Sequence, residues 1–235
     1  MYSALRLGFG RSSFDVSEAE AKVKLGRPET RLALSKLSSA GWVVRLARGR
    51  YLALEPEFVF ASLGKQWADD LAGQGVFACL QAAVAALFDL YNERLVSIAL
   101  FGSSARHTSG VTSDVDLLVV ADGLSGVHSE RLEELEPVQE ACATVRRAQW
   151  PASGEYHPLD LVVLSKEELR ENSLFLLDLT RDAVLIYDRE GTLGGALEEL
   201  RRRLTEAGSR RVETQSGAWY WELSPRAKAG ERVAI

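Results

Sequence analysis

Cysteine is nearly absent. The 235 residues contain two, Cys79 and Cys142, in no paired spacing and each among apolar or small neighbours. That excludes a zinc site built mainly on cysteine and argues against a disulfide framework, so two reduced thiols in a cytoplasmic protein are expected. Long apolar runs are missing too. The richest stretch, Val76 to Leu90, is interrupted by Gln81 and Asp89 and falls short of the ~18–20 residues a membrane span requires, so no membrane partner is expected. The opening MYSALRLGFGRSSF has no long apolar core followed by a small-residue cleavage site, and no signal peptide is expected. With 19 Gly and 6 Pro, and no repeat or low-complexity tract, wholesale disorder is excluded. What remains, 46% hydrophobic and 26% charged, is enough for one large or two smaller globular domains.

Charge is divided unevenly. Residues 1–54 hold ten Lys/Arg against four acids, whereas the whole chain has a net charge of −5. A basic segment on an acidic body suggests separate tasks, and a polyanion is one partner the basic part would suit. Within it, DVSEAEAKVKLG reads as a helix with an Asp15/Ser17 cap region, ending at Gly26. RPETRLALSKLSSAGW reads as a second helix with Pro28 in its first turn and Gly41 near its end. WVVRLARGRYLAL gives two strands around Ala47-Arg48-Gly49. This order resembles a winged helix-turn-helix, which implies DNA or RNA contact (nucleic acid) through residues 1–54, with a structural or protein-docking wing as the alternative.

Glu55-Pro56-Glu57 reads as a linker, and residues 57–92 as two helices broken near Gly73 and Gly75. From residue 95 strands and helices alternate, through the strands LVSIALFG, DVDLLVVA and HPLDLVVLS, and the tail GAWYWELSP reads as a last strand. The expected fold is α/β (α+β), a mixed sheet with flanking helices plus the small N-terminal unit. The expected divisions are a winged-helix-like domain at 1–55, a helical connector at 56–94, a catalytic domain at 95–190 and a C-terminal extension at 191–235.

The chemistry concentrates in residues 100–120, LFGSSARHTSGVTSDVDLLVV. Asp114 and Asp116 lie in an apolar, β-branched run that favours a strand. Two residues apart on a strand, they project to one side while Val115, Leu117 and Val119 point to the other. Carboxylates held side by side repel unless a cation or water intervenes. Oxygen-only ligands favour a hard ion such as Mg²⁺, which is characteristically shared with substrate phosphates. Asp160, early in another apolar strand, supplies a third carboxylate if the two strands are neighbours, with Glu155 as its competitor; two ions could then clamp a phosphoryl displacement. Gly102 lets the backbone approach a polyphosphate, Ser103 and the amides after it can donate to phosphate oxygens, and Arg106 can add a charged contact.

Gly102-Ser103, a ten-residue gap, then Asp114-Val115-Asp116 is similar to the signature of the DNA polymerase beta-like nucleotidyltransferases. SDVDLLVV, residues 113–120, looks like the version in their small prokaryotic group, which includes antibiotic-modifying enzymes and members of toxin–antitoxin pairs. The resemblance implies two Mg²⁺ ions (or Mn²⁺), a nucleoside triphosphate such as ATP as substrate, and transfer of its nucleotidyl group to an acceptor hydroxyl with release of pyrophosphate. It implies that Gly102 and Ser103 hold the triphosphate, that Asp114 and Asp116 hold metal, and that Asp160 holds metal and activates the acceptor. The acceptor stays open between tRNA, another RNA, a protein side chain and a small molecule such as an aminoglycoside. One departure is His107, where the family commonly carries Gly. The competing reading is a DNA-binding regulator or antitoxin-like partner whose nucleotide domain only senses.

Elsewhere the bland readings are preferred. His128 and His157 read as surface or loop residues, Arg201–Arg203 and Arg210–Arg211 as a solvated helix face rather than an RNA site, and Trp219 and Trp221 as one buried side of a strand with Tyr220 exposed.

Overall fold

The computed structural model describes residues 1–9, 14–54, 56–62, 65–71, 75–171, 173–214 and 218–223. Glu55, Gly73, Gly217, Ser224 and Pro225, which belong to the expected linker, helix break and last strand, lie outside the described residues.

The N-terminal unit has the order α1 (Tyr2–Phe9), β1 (Phe14–Asp15), α2 (Val16–Val23), α3 (Arg27–Ser39), β2 (Val43–Ala47) and β3 (Arg50–Ala53). Asp15 starts α2 through a capping box: its side chain accepts from Ser17 N and Glu18 N, and Glu18 accepts in return from Asp15 N at 2.6 Å. The three strands pair antiparallel in the order β1-β3-β2. Leu5, Phe14, Val16, Ala19, Leu34, Val43 and Ala53 close a small core beneath them.

Helices α4 (Pro56–Ser62) and α5 (Gln66–Leu71) precede α6 (Val76–Tyr91). Taken with the turn through Arg94, α6 is long and apolar enough by composition alone to cross a membrane, but two-thirds of that window is buried inside the protein. It is apolar almost all round because it is covered almost all round. Its Leu80, Ala83, Val84 and Leu87 are fully enclosed.

The body is a four-stranded sheet in the order β6-β5-β4-β7, with β4 (Leu95–Phe101), β5 (Val115–Ala121), β6 (Leu159–Leu164) and β7 (Val184–Asp188). β4 runs antiparallel to β5 and β7, while β5 and β6 are parallel. Central strands covered on both faces read as continuous apolar runs. Alternation assigns the sides except at the register shift between Leu95 and Ser97, which puts Val96 on the face opposite Ile98. Ile98, Leu100, Val115, Leu117 and Val119 face α6 and α9 (Glu136–Ser153). Val96, Ala99, Leu118 and Val120 face α10 (Lys166–Glu171), α11 (Ser173–Asp182) and α12 (Thr192–Glu206). The sequence reads 129–148 as one helix kinked at Pro137. The chain instead ends α8 (His128–Glu134) at Leu135 and starts α9 with Pro137 in its first turn, where proline's missing N–H costs nothing.

The C-terminal part adds an antiparallel hairpin of β8 (Arg210–Glu213) and β9 (Trp219–Glu222), of which sequence reading finds only the second strand. Asp188 ties this part to the sheet. Its carboxylate accepts from Ser97 Oγ at 2.6 Å and from the first amides of α12, Leu193 N at 2.9 Å and Gly194 N at 2.8 Å. Ser97 is fully buried in β4. Asp188→Ala removes a helix cap and strands a buried hydroxyl. It is expected to lower stability by about 1–3 kcal/mol in urea denaturation, with Asp188→Asn losing less.

Candidate active site

Three strand ends build the site. The parallel register sets Asp116 opposite Asp160, and the antiparallel register sets Phe101, the last residue of β4, opposite Asp116. Neighbouring strands lie about 4.8 Å apart, so the Asp116 and Asp160 side chains leave adjacent strands toward the same face. Side-chain alternation puts Asp114 on that face too, just ahead of β5. Asp114 and Asp160 are exposed and Asp116 is half-buried. Glu155 stands apart from this register: it accepts from Ser153 Oγ at 3.1 Å and packs against the Gly75 backbone at the start of α6.

The electrostatics record the crowding. The Asp116 carboxyl is held above the usual carboxylate range, first by burial, then by the charges of Asp114 and Asp160, with the Arg106 guanidinium pulling the other way. Among the described residues no three His, Cys, Asp or Glu side chains are drawn around a single point. The donor set nevertheless suits a hard divalent ion: all its ligating atoms are oxygens, and it carries more negative charge than its surroundings neutralise.

Gly102 follows β4 with φ of +70° and opens the short turn α7 (Gly102–Ala105). A Cβ here would collide with the Asp116 carboxylate, so the position excludes any side chain on both backbone and steric grounds. The amides that open a helical turn have no partner within it and are available as donors. Ser103 is half-exposed beside them. Arg106, expected as a phosphate contact, lies within reach of the Asp116 charge. Its guanidinium lies 3.8 Å from Asp182 and 5.0 Å from the centre of the Trp219 ring.

Two residues that sequence reading passes over hold the acid loop in place. Ser104, fully buried, donates to the Asp114 carbonyl at 3.1 Å. His157, read above as a surface or loop residue, is 2% exposed, and its Nδ1 sits 2.9 Å from the Ser113 carbonyl. Val115 N donates to Pro158 O at 2.7 Å, and Tyr156 N to Val111 O at 2.9 Å. The backbone on either side of Asp114 is thus braced from α7 and from the segment leading into β6. A histidine without ligand spacing carries no signal in the sequence; here its role comes from a backbone carbonyl 44 positions away. His107 takes φ of +56°, a left-handed conformation that glycine adopts without strain.

The raised Asp116 carboxyl has a sign that can be measured. A carboxyl whose folded pKa lies above its unfolded value destabilises the fold once both states are ionised, and does nothing below the unfolded value of 3.8. In EDTA, Asp116→Asn is therefore expected to be more stable than wild type at pH 7. That advantage should shrink as pH falls toward the ordinary aspartate range. An equal difference at pH 4 and pH 7 in paired denaturation curves would contradict this reading.

Residues 84–159 match the family model for a nucleotidyltransferase domain, a span that holds Gly102, Ser103, Arg106, Asp114 and Asp116 and stops one residue before Asp160. Among solved structures, a toxin–antitoxin complex with AMP-PNP is similar at 17% identity and a TM-score of 0.36, covering 54% of this chain and 90% of that one. The complex of the tri-AMPylated Shewanella oneidensis HEPN toxin with its MNT antitoxin is similar at 15% identity and a TM-score of 0.33, covering 55% and 92%. No curated protein matches the chain. The matched span runs through the Gly-Ser turn and both acids of the DVD run, and over residues 84–159 the chain is similar to a nucleotidyltransferase domain.

Proposed function

We propose that this protein transfers a nucleoside monophosphate from a nucleoside triphosphate to an acceptor hydroxyl, in a reaction dependent on divalent metal, with pyrophosphate as the leaving product. The observation that carries the reading is the paired register of Asp116 and Asp160 beside the glycine turn at 102. It is supported by the upward pull that Asp114 and Asp160 exert on the Asp116 carboxyl.

Asp114, Asp116 and Asp160 are the residues that would hold Mg²⁺ or Mn²⁺. Bound there, the ions would offset the carboxylate and triphosphate charges and polarise the α-phosphorus. The chain's own parts do the rest. Gly102 lets the backbone come close to the β- and γ-phosphates, and Ser103 Oγ with the amides after it donates to their oxygens. Asp160, exposed at the rim, takes the proton from the acceptor hydroxyl as that oxygen attacks the α-phosphorus. Ser104 and His157 fix the Asp114 backbone so that its carboxylate does not swing away when charge gathers. The neighbouring complexes carry AMP-PNP or an AMPylated toxin. ATP is accordingly the first triphosphate to test and a protein hydroxyl the first acceptor.

The test is incubation with Mg²⁺ and each α-labelled triphosphate, with lysate protein or total RNA as acceptor. Wild type is expected to transfer label and release pyrophosphate. Asp114→Ala and Asp116→Asn should each cost at least ~100-fold, whereas Asp160→Asn should lower turnover more than triphosphate binding. No transfer together with no metal-dependent triphosphate binding would refute the reading.

A second activity is proposed for the N-terminal unit, a winged-helix-like module that contacts duplex DNA. The supporting observation is the exposed pair Arg27 and Arg31, one turn apart on α3, together with exposed Arg48 at the tip of the β2–β3 turn. Salt-sensitive duplex binding should survive Asp114→Ala and fall in Arg31→Gln/Arg48→Gln. Duplex binding unchanged in the latter variant would remove this module from consideration.

A further inference from the structure

The arginines of the C-terminal part divide into two groups. Arg202 and Arg203 lie exposed on α12 and are spent on that helix: Arg202 pairs with Glu199 at 2.8 Å and Glu206 at 2.5 Å, and Arg203 with Glu199 at 2.8 Å. This is the solvated face that the sequence suggests. Arg181, Arg201, Arg210 and Arg211 instead converge from α11, α12 and β8 on one open cavity of about 540 Å³. Among the described residues no carboxylate lines it.

The four are not all satisfied. Arg201 is anchored through its guanidinium on the Thr180 carbonyl and pairs with Glu198 on its own helix. Arg210 is largely exposed and pairs with Glu222 at 2.7 Å. Arg181 is exposed and has no hydrogen bond or ion pair among the described residues. The Arg211 side chain is only 9% exposed; its Nη1 reaches Asp182 at 2.9 Å, yet its buried Nε has no partner. A buried donor left unmade is costly, and guanidiniums lining a cavity whose paired carboxylates lie outside the lining still suit phosphate oxygens.

The remaining lining points to a sugar–phosphate strand in preference to a lone anion. Thr205 Oγ1 donates to the Arg201 carbonyl at 2.8 Å and Ser209 Oγ to the Leu223 carbonyl. Each hydroxyl proton is committed, so toward the cavity these oxygens can only accept. A ribose 2′-OH can donate to them, and deoxyribose lacks that donor. Trp221 supplies a flat apolar wall, of the kind on which bases stack.

We infer that this cavity is a second anion site, distinct from the reaction centre, which binds phosphates of a single-stranded RNA. Its link to that centre is Trp219, against which both Arg211 (4.9 Å) and Arg106 (5.0 Å) stack. The inference does not rest on the triphosphate chemistry and would survive its loss.

The experiment is fluorescence anisotropy of a labelled 20-nucleotide RNA with the full chain, in EDTA and across a salt series, with DNA of the same sequence in parallel. Arg181→Gln/Arg210→Gln is compared with Arg202→Gln/Arg203→Gln, which removes equal charge from the solvated face of α12. The cavity pair should weaken RNA binding about tenfold and flatten the salt slope by about 1.4, two phosphate contacts at ~0.7 each. The control pair should stay within about twofold of wild type, and DNA should bind more weakly than RNA. Asp116→Asn, inactive in transfer, should bind RNA as wild type does. Equal losses in the two pairs, no salt-sensitive RNA binding by wild type, equal affinity for DNA, or loss of RNA binding in Asp116→Asn would each overturn the inference.

Discussion

The site depends on one strand pairing. Because β5 and β6 run parallel in register, Asp116 and Asp160 must leave the sheet side by side, and burial together with the like charges beside it disfavours the ionised form of Asp116. The sheet tolerates this only because its other positions are committed elsewhere. Leu117, Val119, Leu118 and Val120 are completely buried in the layers above and below. Burial of that kind fixes the register, since a one-residue slip would drive each side chain into the layer packed for its neighbour. The acids occupy the place where the apolar alternation runs out, at the entry of β5 and β6, and their crowding is held in place by packing further along the same strands.

Much of this was legible in the sequence, for a physical reason. Alternation along 114–120 is a local property, so the shared side of Asp114 and Asp116 follows from spacing alone. The φ of +70° at Gly102 fits the expected close approach of backbone at the end of β4. The neighbouring strand was harder. That β6 lies beside β5, and that Asp160 rather than Glu155 falls opposite Asp116, is a matter of long-range pairing, to which single-sequence periodicity is blind. The bracing of the acid loop was not legible at all. Ser104 and His157 act on main-chain carbonyls, which have no side-chain signature to match.

The hairpin β8–β9 shows the same limit differently. Strand alternation correctly separates Tyr220, 50% exposed, from Trp219 and Trp221. It does not reveal that both indole N–H groups donate to Asp178 on α11, Trp221 at 2.8 Å and Trp219 at 3.1 Å. Asp178 and Asp182 together seat the hairpin on α11, and through Trp219 the hairpin reaches Arg106, one helical turn beyond Gly102. A segment remote in sequence thereby sets where Arg106, whose charge acts on Asp116, comes to rest.

The N-terminal sheet shares its interior with the body. Leu52 and Leu54 belong to the same enclosed cluster as α6 and the inner face of β4 and β5, and the Tyr2 hydroxyl donates to the Leu54 carbonyl. A tether of flexible chain would let two halves search for their ligands separately; a common interior denies them that freedom. A partner docked on the exposed arginines of α3 would consequently be presented to the acid cluster at one fixed angle and reach, as on a jig and not as with two tools on a string.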